Sequence, residues 1–210
     1  LVRGDFHNLF ILNCRVLSPM KKIRSSFLTL ILPLSIVILL SYALVASKLG
    51  IYWDDWAYIW TRLELGYEGL LRHFSFSRPV AGQLHNIAIL ITGGKPLSIQ
   101  IYMMGMQILC AYLFGRLLWT VWNDKRSSWI GALLFAVYPG FTMQPIAVNF
   151  SFSYFLIGSL CLSFILGIHA VRSRRGRFGL TIAAILLSLM NLFASEYFFL
   201  LELLRPFLFY

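Results

Sequence analysis

Apolar residues fall in five long runs along this chain, separated by short polar stretches. A helix that crosses a bilayer needs about 20 predominantly apolar residues, and each run is about that long. The pattern predicts an all-α fold, a polytopic transmembrane helix bundle. We expect its membrane-spanning helices at about 25–50, 97–122, 128–148, 152–171 and 178–200, with the third interrupted by YPG at 138–140.

The segment 51–96, between the first two runs, has a different pattern. Large apolar residues recur there at helical spacing on one stripe, which predicts an amphipathic helix lying in the membrane interface. The stripe consists of Trp56, Ile59, Trp60, Leu63, Tyr67, Leu70, Leu71 and Phe74. A second amphipathic stretch is expected after SRPV at 77–80, with an apolar face formed by Val80, Leu84, Ile87, Ala88 and Ile91 and with Gln83 and Asn86 on another face. We therefore expect 51–96 to form an outer loop of interfacial helices.

Composition favours a membrane protein. Of the 210 residues, 59% are hydrophobic and 12% are charged, whereas soluble domains carry about 25% charged residues. The net charge of +10 raises the question of nucleic acid, but the basic residues stand in short runs between apolar segments, the pattern of cytoplasmic loops. The expected partner is therefore the lipid bilayer and not nucleic acid.

The basic runs also predict the orientation of the bundle, because cytoplasmic loops are enriched in Lys and Arg. They fall on one side, at Lys21, Lys22 and Arg24, at Lys125 and Arg126, and at Arg172, Arg174, Arg175 and Arg177. The opposite, outer side receives 51–96 with Asp54, Asp55, Glu196 and Glu202. We expect a cytoplasmic segment at 1–24, with 1–19 not necessarily native, and the N-terminal part of a longer multi-span domain at 25–210.

Asp54 and Asp55 are the first candidates for chemistry. One of them can cap the amphipathic helix by accepting hydrogen bonds from its free backbone N–H groups. Two adjacent carboxylates also repel each other, which raises the pKa of one. Such a pair suits a general base or a ligand of a divalent cation, Mg²⁺ or Mn²⁺, and Asp55 is the candidate metal ligand.

Four further charged residues are candidates for binding. Glu196 lies in the apolar stretch LFASEYFF, and an acid at the edge of a span is a functional hypothesis, the alternative being a helix-end acid that faces water. Glu202 is expected nearer the surface, where Arg205 can pair with it one turn away. Arg78, next to the acidic loop, can clamp a phosphate or contact a lipid headgroup.

Other polar residues have a structural interpretation beside a functional one. His85 could relay protons, but it could equally be a polar residue of an interfacial helix. Gln100 and Gln107, one heptad apart, are expected to join neighbouring helices by hydrogen bonds. The three cysteines lack metal-ligand spacing and are expected to be small buried hydrophobic residues.

The order of these features resembles the GT-C class of membrane glycosyltransferases. The resemblance is closest to the protein O-mannosyltransferase type and its bacterial relatives, which use polyprenyl-phosphate sugars. In that group the first outer loop begins with an acidic pair, matched here by Asp54 and Asp55. It continues with Arg-Pro-Leu, an apolar run and Gly-x-x-Pro, to which SRPVAGQLHNIAILITGGKP at 77–96 is similar. A later span ends in Ser-Lys-Glu, and ASEYF at 194–198 resembles this motif without the lysine.

The resemblance implies an active site at the outer face of the bundle and a sugar donor carried on polyprenyl phosphate. Asp54 would then be the general base that deprotonates an acceptor hydroxyl, with inversion at the anomeric carbon. Asp55 would hold a metal or orient the acceptor. Arg78, Arg205 or a divalent cation would neutralise the leaving phosphate, and the role of Glu196 stays open because the lysine is absent.

Two other classes of membrane protein fit the composition. A transporter or lipid flippase would use the acids as ion or proton sites and would be expected to place them near mid-span. A non-catalytic membrane subunit is compatible with the length of the chain.

Overall fold

The structure is a computed structural model that describes residues 21–138, 145–172 and 176–209. The predicted segment 1–19, together with Cys14, Arg174 and Arg175, lies outside these residues. Every regular element within the described residues is a helix, which confirms the predicted all-α class.

The helices are numbered here in chain order. Helix α1 covers Lys21–Ile38 and continues through a π-helical turn, Leu39–Ala43, and an α-helical turn, Leu44–Ala46. The predicted outer loop contains α2 (Asp54–Glu64), α3 (Gly66–Phe74) and α4 (Pro79–Thr92). The rest of the bundle consists of α5 (Pro96–Trp122), α6 (Lys125–Ala136), α7 (Ala147–Arg172) and α8 (Arg177–Ala194). A 3₁₀ turn, Glu196–Phe198, then leads to two short helices, α9 (Phe199–Glu202) and α10 (Arg205–Phe209).

Among the described residues, three helices are long and apolar enough to cross a membrane, namely α5, α7 and α8. The first predicted span contains a shorter apolar helix, Leu30–Ala46. These lengths and compositions are consistent with a helical membrane protein. Large apolar side chains such as Leu186 and Phe193 of α8 stay exposed, which is expected where a helix faces lipid instead of water.

Two predicted spans differ from the observed helices. The third, 128–148, is interrupted as YPG at 138–140 predicts, since α6 ends at Ala136, but its last residues differ from the prediction because α7 already begins at Ala147. Tyr138 precedes a proline in the sequence, and the residue before a proline is driven out of the helical conformation. The fifth, 178–200, ends early at Ala194, where the backbone of Ser195 becomes extended with φ −161° and ψ 129°.

Helix α7 lies at the centre of the fold. It packs against α5 and α8 and also contacts α2, α4 and α10. Gly158 of α7 faces α5, where an added Cβ would come into ordinary contact with the Cα of Cys110 at 3.6 Å. A Cβ on Gly115 of α5 would lie only 2.8 Å from the Cβ of Ala132 on α6. Small residues at contacts are the usual way in which membrane helices approach one another.

Two glutamines of α5 join it to neighbouring segments, as predicted. Gln107 Nε2 donates to the carbonyl of Ala136 at 2.8 Å, at the C-terminal end of α6. Gln100 Nε2 donates to the carbonyl of Pro145 at 3.2 Å. Both bonds are made to backbone carbonyls beside helix ends, where helical N–H partners are lacking among the described residues.

The outer loop differs from the predicted amphipathic pattern. The first amphipathic helix is broken into α2 and α3 at Gly66, whose φ of 70° is left-handed. The apolar stripe divides, because Ile59 is 2% exposed and faces inward whereas Trp56 and Trp60 are 62% and 56% exposed.

Helix α4 keeps the predicted apolar face only in part. Ile87 and Ile91 of that face are exposed, whereas Ala88 is buried together with His85 and Asn86. The exposed isoleucines are compatible with contact to lipid.

Candidate functional site

The two adjacent carboxylates at the start of α2 have separate environments. Asp54 is exposed, and Asp55 is 1% exposed. The helix N-cap is Trp53, which makes no side-chain cap hydrogen bond. Trp53 also has φ 48° and ψ −127°, a conformation that costs a non-glycine residue of order 1–3 kcal/mol. Neither aspartate caps α2, so the predicted local cap is wrong.

Asp55 instead binds the N-terminus of another helix. Its two carboxylate oxygens accept hydrogen bonds from the backbone N–H groups of Val148 at 2.8 Å and Asn149 at 2.9 Å. These groups belong to the first turn of α7, where no helical carbonyl is available to them. Burial raises the pKa of Asp55 to about 6, and the hydrogen bonds from α7 oppose this increase. Asp55 therefore acts as a cap supplied by α2 to α7.

Asp54 is left facing solvent, with Tyr58 one turn further along α2. Burial raises the pKa of Tyr58, the charge of Asp54 raises it further, and the charge of Arg78 lowers it. Asp54 and Arg78 therefore each lie within electrostatic reach of Tyr58. Asp54 makes no hydrogen bond to the described residues, so its oxygens are accessible to a ligand.

Arg78 and Glu196 form an ion pair that connects the start of α4 with the turn after α8. Arg78 Nε donates to Glu196 Oε2 at 2.9 Å, and Nη2 donates to Oε1. The guanidinium carbon also lies 5.4 Å from the ring centroid of Tyr197. This bonding raises the pKa of Arg78 and lowers that of Glu196. The structure thus brings together two of the predicted binding residues.

The Arg78–Glu196 pair remains open to solvent. The side chains are 30% and 60% exposed. Exposed ion pairs contribute little to stability, so an incoming phosphate can compete for the arginine at small cost. Tyr197 and Tyr58 were not predicted as site residues. In the sequence Tyr197 directly follows Glu196, and Tyr58 follows Asp54 by four positions, which is one helical turn.

His85 fills an aromatic box beneath this surface. Its ring centroid lies 4.6 Å from that of Phe152, 4.8 Å from Tyr58 and 5.0 Å from Phe74. Within the described part of the chain its Nδ1 has no hydrogen-bond partner. Burial lowers the pKa of His85 to about 3, with a further contribution from the Arg78 charge. The imidazole is therefore neutral at physiological pH, which favours its structural interpretation.

Arg205 and Glu202 lie elsewhere. Arg205 donates to Glu202 at 2.7 and 3.1 Å, so the predicted pairing is confirmed, and it also donates to Ser163 of α7 at 2.9 Å. Ser163 is 16 residues beyond Ala147, a distance of about 24 Å along the helix axis. Glu202 and Arg205 therefore lie well along α7 from the end that Asp55 contacts, and Arg205 is not brought together with Asp54 or Arg78.

A divalent cation fits poorly at Asp55. Both of its oxygens already accept backbone hydrogen bonds, and the described residues contain no group of three or more His, Cys, Asp or Glu side chains able to hold a metal. Mg²⁺ is usually bound through one or two carboxylates, and both oxygens of Asp55 are already engaged by the start of α7.

Comparison of the chain with protein-family models, with curated proteins and with solved structures finds no match. The residues Asp54, Tyr58, Arg78, Glu196 and Tyr197 are therefore interpreted from their own geometry and from the motifs in the sequence.

Proposed function

We propose that this protein is a membrane glycosyltransferase of the GT-C class. It moves a sugar from a polyprenyl-phosphate donor to an acceptor hydroxyl, with inversion at the anomeric carbon. The proposed location is the inner membrane of a bacterium, with the active face outside. The observation that carries the proposal is the separation of the acidic pair into a buried carboxylate that binds α7 and an accessible one that, like Arg78, acts electrostatically on Tyr58.

Asp54 is the proposed general base. Its carboxylate removes the proton of the acceptor hydroxyl while the oxygen attacks the anomeric carbon. The bond from that carbon to the phosphate oxygen breaks, and its electron pair leaves with the lipid phosphate. Asp55 is a positioning residue in this scheme, because its bonds to α7 fix the start of α2 and thereby the neighbouring Asp54.

Arg78 is the proposed phosphate ligand. A guanidinium offers several N–H donors in a planar fork that matches phosphate oxygens. Glu196 and Tyr197 hold this fork at the outer ends of α4 and α8 before the donor arrives. Charge that develops on the departing phosphate is stabilised by a cation already in place.

The decisive experiment uses Asp54→Asn in membranes supplied with labelled polyprenyl-phosphate sugars. Loss of a general base lowers the rate by about 10²–10⁴-fold, so we expect sugar transfer to fall by that amount at unchanged protein abundance. Glu64→Gln is the matched control, because Glu64 is an exposed acid at the other end of α2. Full transfer by Asp54→Asn at normal abundance would refute the assignment.

A transporter or lipid flippase is the second candidate, favoured by the interior position of the Glu202–Arg205 pair. Ser188 Oγ of α8 donates to Glu202 at 2.5 Å, and the two charged side chains are only 15% and 21% exposed. Ionisable groups beside the middle of spanning helices are typical of transport pathways. Flux of a labelled lipid that depends on Glu202 and not on Asp54 would favour this alternative over the transferase.

A further inference from the structure

A cavity of about 310 Å³ lies beside α7 and α8, toward the end of the bundle that carries the basic residues. Its walls include Gly167 and Ala170 of α7 and Ala184 and Ile185 of α8. Along α8 the residues that line the cavity extend from Arg177, at the start of the helix, as far as Ser188 and Leu189. Arg177 and Ser188 are 11 positions apart, which corresponds to about 16 Å along the helix.

The deep end of the cavity is polar but internally paired. Ser188 donates to Glu202, and Glu202 accepts hydrogen bonds from Arg205, which also reaches Ser163. These groups satisfy one another and do not require a polar ligand. The surfaces between this end and Arg177 are mainly aliphatic, and the small residues on α7 leave room for a hydrocarbon chain.

The mouth of the cavity has the opposite character. Arg177 is exposed and belongs to the run RSRRGR at 172–177, the densest basic segment of the sequence. Basic pockets between spanning helices at the cytoplasmic side are suited to anionic lipid headgroups. A ligand that matches both parts has a negative headgroup and an apolar tail.

We propose that this cavity binds one anionic phospholipid from the leaflet at the basic end of the bundle. The phosphate contacts Arg177, and an acyl chain lies between α7 and α8. The site is separate from the cluster around Asp54 and does not depend on the proposed transferase activity.

The test measures lipid retained by the purified protein after reconstitution in nanodiscs with equal parts phosphatidylglycerol and phosphatidylcholine, using native mass spectrometry. The wild type should retain one phosphatidylglycerol in preference to phosphatidylcholine. One Lys or Arg near a membrane surface contributes a factor of about 5 to anionic lipid binding, so Arg177→Gln should lower the preference about 5-fold. Ala184→Leu, which fills the cavity, should reduce retention of both lipids.

Arg126→Gln is the matched control, because Arg126 is an exposed cation at the same end of the bundle but does not line the cavity. It should leave the preference unchanged. Equal retention of the two lipids by the wild type would overturn the proposal. So would equal losses in Arg177→Gln and Arg126→Gln, since these would indicate general surface attraction, or undiminished retention by Ala184→Leu.

Discussion

The carboxylate of Asp55, in the first turn of α2, accepts a hydrogen bond from the backbone N–H of Val148, in the first turn of α7, at 2.8 Å. The residues are 93 positions apart in sequence. A single side chain therefore fastens the outer helices to the central helix of the bundle. The adjacent Asp54 makes no comparable bond to described residues, so the two carboxylates should respond differently to substitution.

Asp55→Ala should destabilise the protein, because it leaves the backbone N–H groups of Val148 and Asn149 without acceptors in a buried position. An unsatisfied buried polar group costs about 1–3 kcal/mol, and we expect a loss in that range. Thermal unfolding of the purified protein in nanodiscs would measure it.

Asp54→Ala is the control for this measurement, since its side chain is exposed and unbonded. Its unfolding temperature should stay close to that of the wild type. Equal destabilisation by the two alanines would mean that the cap on α7 does not contribute to stability in the way that the hydrogen bonds indicate.

The pH dependence of stability should identify Asp55 as well. Its pKa is raised by burial from 3.8 to about 6, so between these values the folded state binds more protons than the unfolded state. Stability should then fall as the pH rises from about 4 to about 6, by on the order of 3 kcal/mol, and level off above that range.

The Asp55→Asn variant should lack the pH-dependent contribution of the Asp55 carboxyl to the free energy of unfolding. The quantity to compare is the difference in unfolding free energy between wild type and variant at several pH values. His85, whose pKa is lowered, has the opposite effect over part of the same range, but it is present in both proteins and cancels. A difference that does not change between pH 4 and 7 would contradict the assigned titration.

The helix class and the longest spans could be predicted from the sequence because they depend on local composition. Runs such as 97–122 and 152–171 carry enough apolar residues to specify a membrane helix regardless of their neighbours. The observed α5, Pro96–Trp122, and α7, Ala147–Arg172, lie close to those ranges. The break after Ala136 could also be predicted, because YPG at 138–140 interrupts the third apolar run.

The partners of the charged residues could not be predicted from local patterns. A helix N-cap is normally sought within the same helix, whereas Asp55 caps a helix 93 positions away. The pairing of Arg78 with Glu196 spans 118 positions and depends on how α4 packs against α8. The burial of single α4 residues could not be predicted either, because Ala88 is buried whereas Ile87 and Ile91 of the same predicted face are exposed.

His85→Phe tests whether the buried histidine has a role beyond packing. The ring lies among Phe74, Tyr58 and Phe152, so phenylalanine fills similar space and removes an Nδ1 atom that lacks a partner among the described residues. We expect stability to be unchanged or increased by up to about 1 kcal/mol, with sugar transfer retained. A loss of transfer at undiminished stability would instead assign His85 to the chemistry.

The orientation of the bundle predicts which introduced cysteines react with a membrane-impermeant thiol reagent in intact cells. Cysteine at Glu64, an exposed position of α2, should be labelled from outside, whereas cysteine at Lys125, at the start of α6, should react only after the cells are opened. Cys110 and Cys161 are buried and should contribute little background, and Cys14 is replaced by serine in both variants. The expected difference between the two positions follows from the rule that loops enriched in Lys and Arg remain in the cytoplasm. Labelling of position 125 in intact cells would reverse the orientation and place Asp54 and Arg78 on the cytoplasmic side, where the proposed outward-facing transfer could not occur.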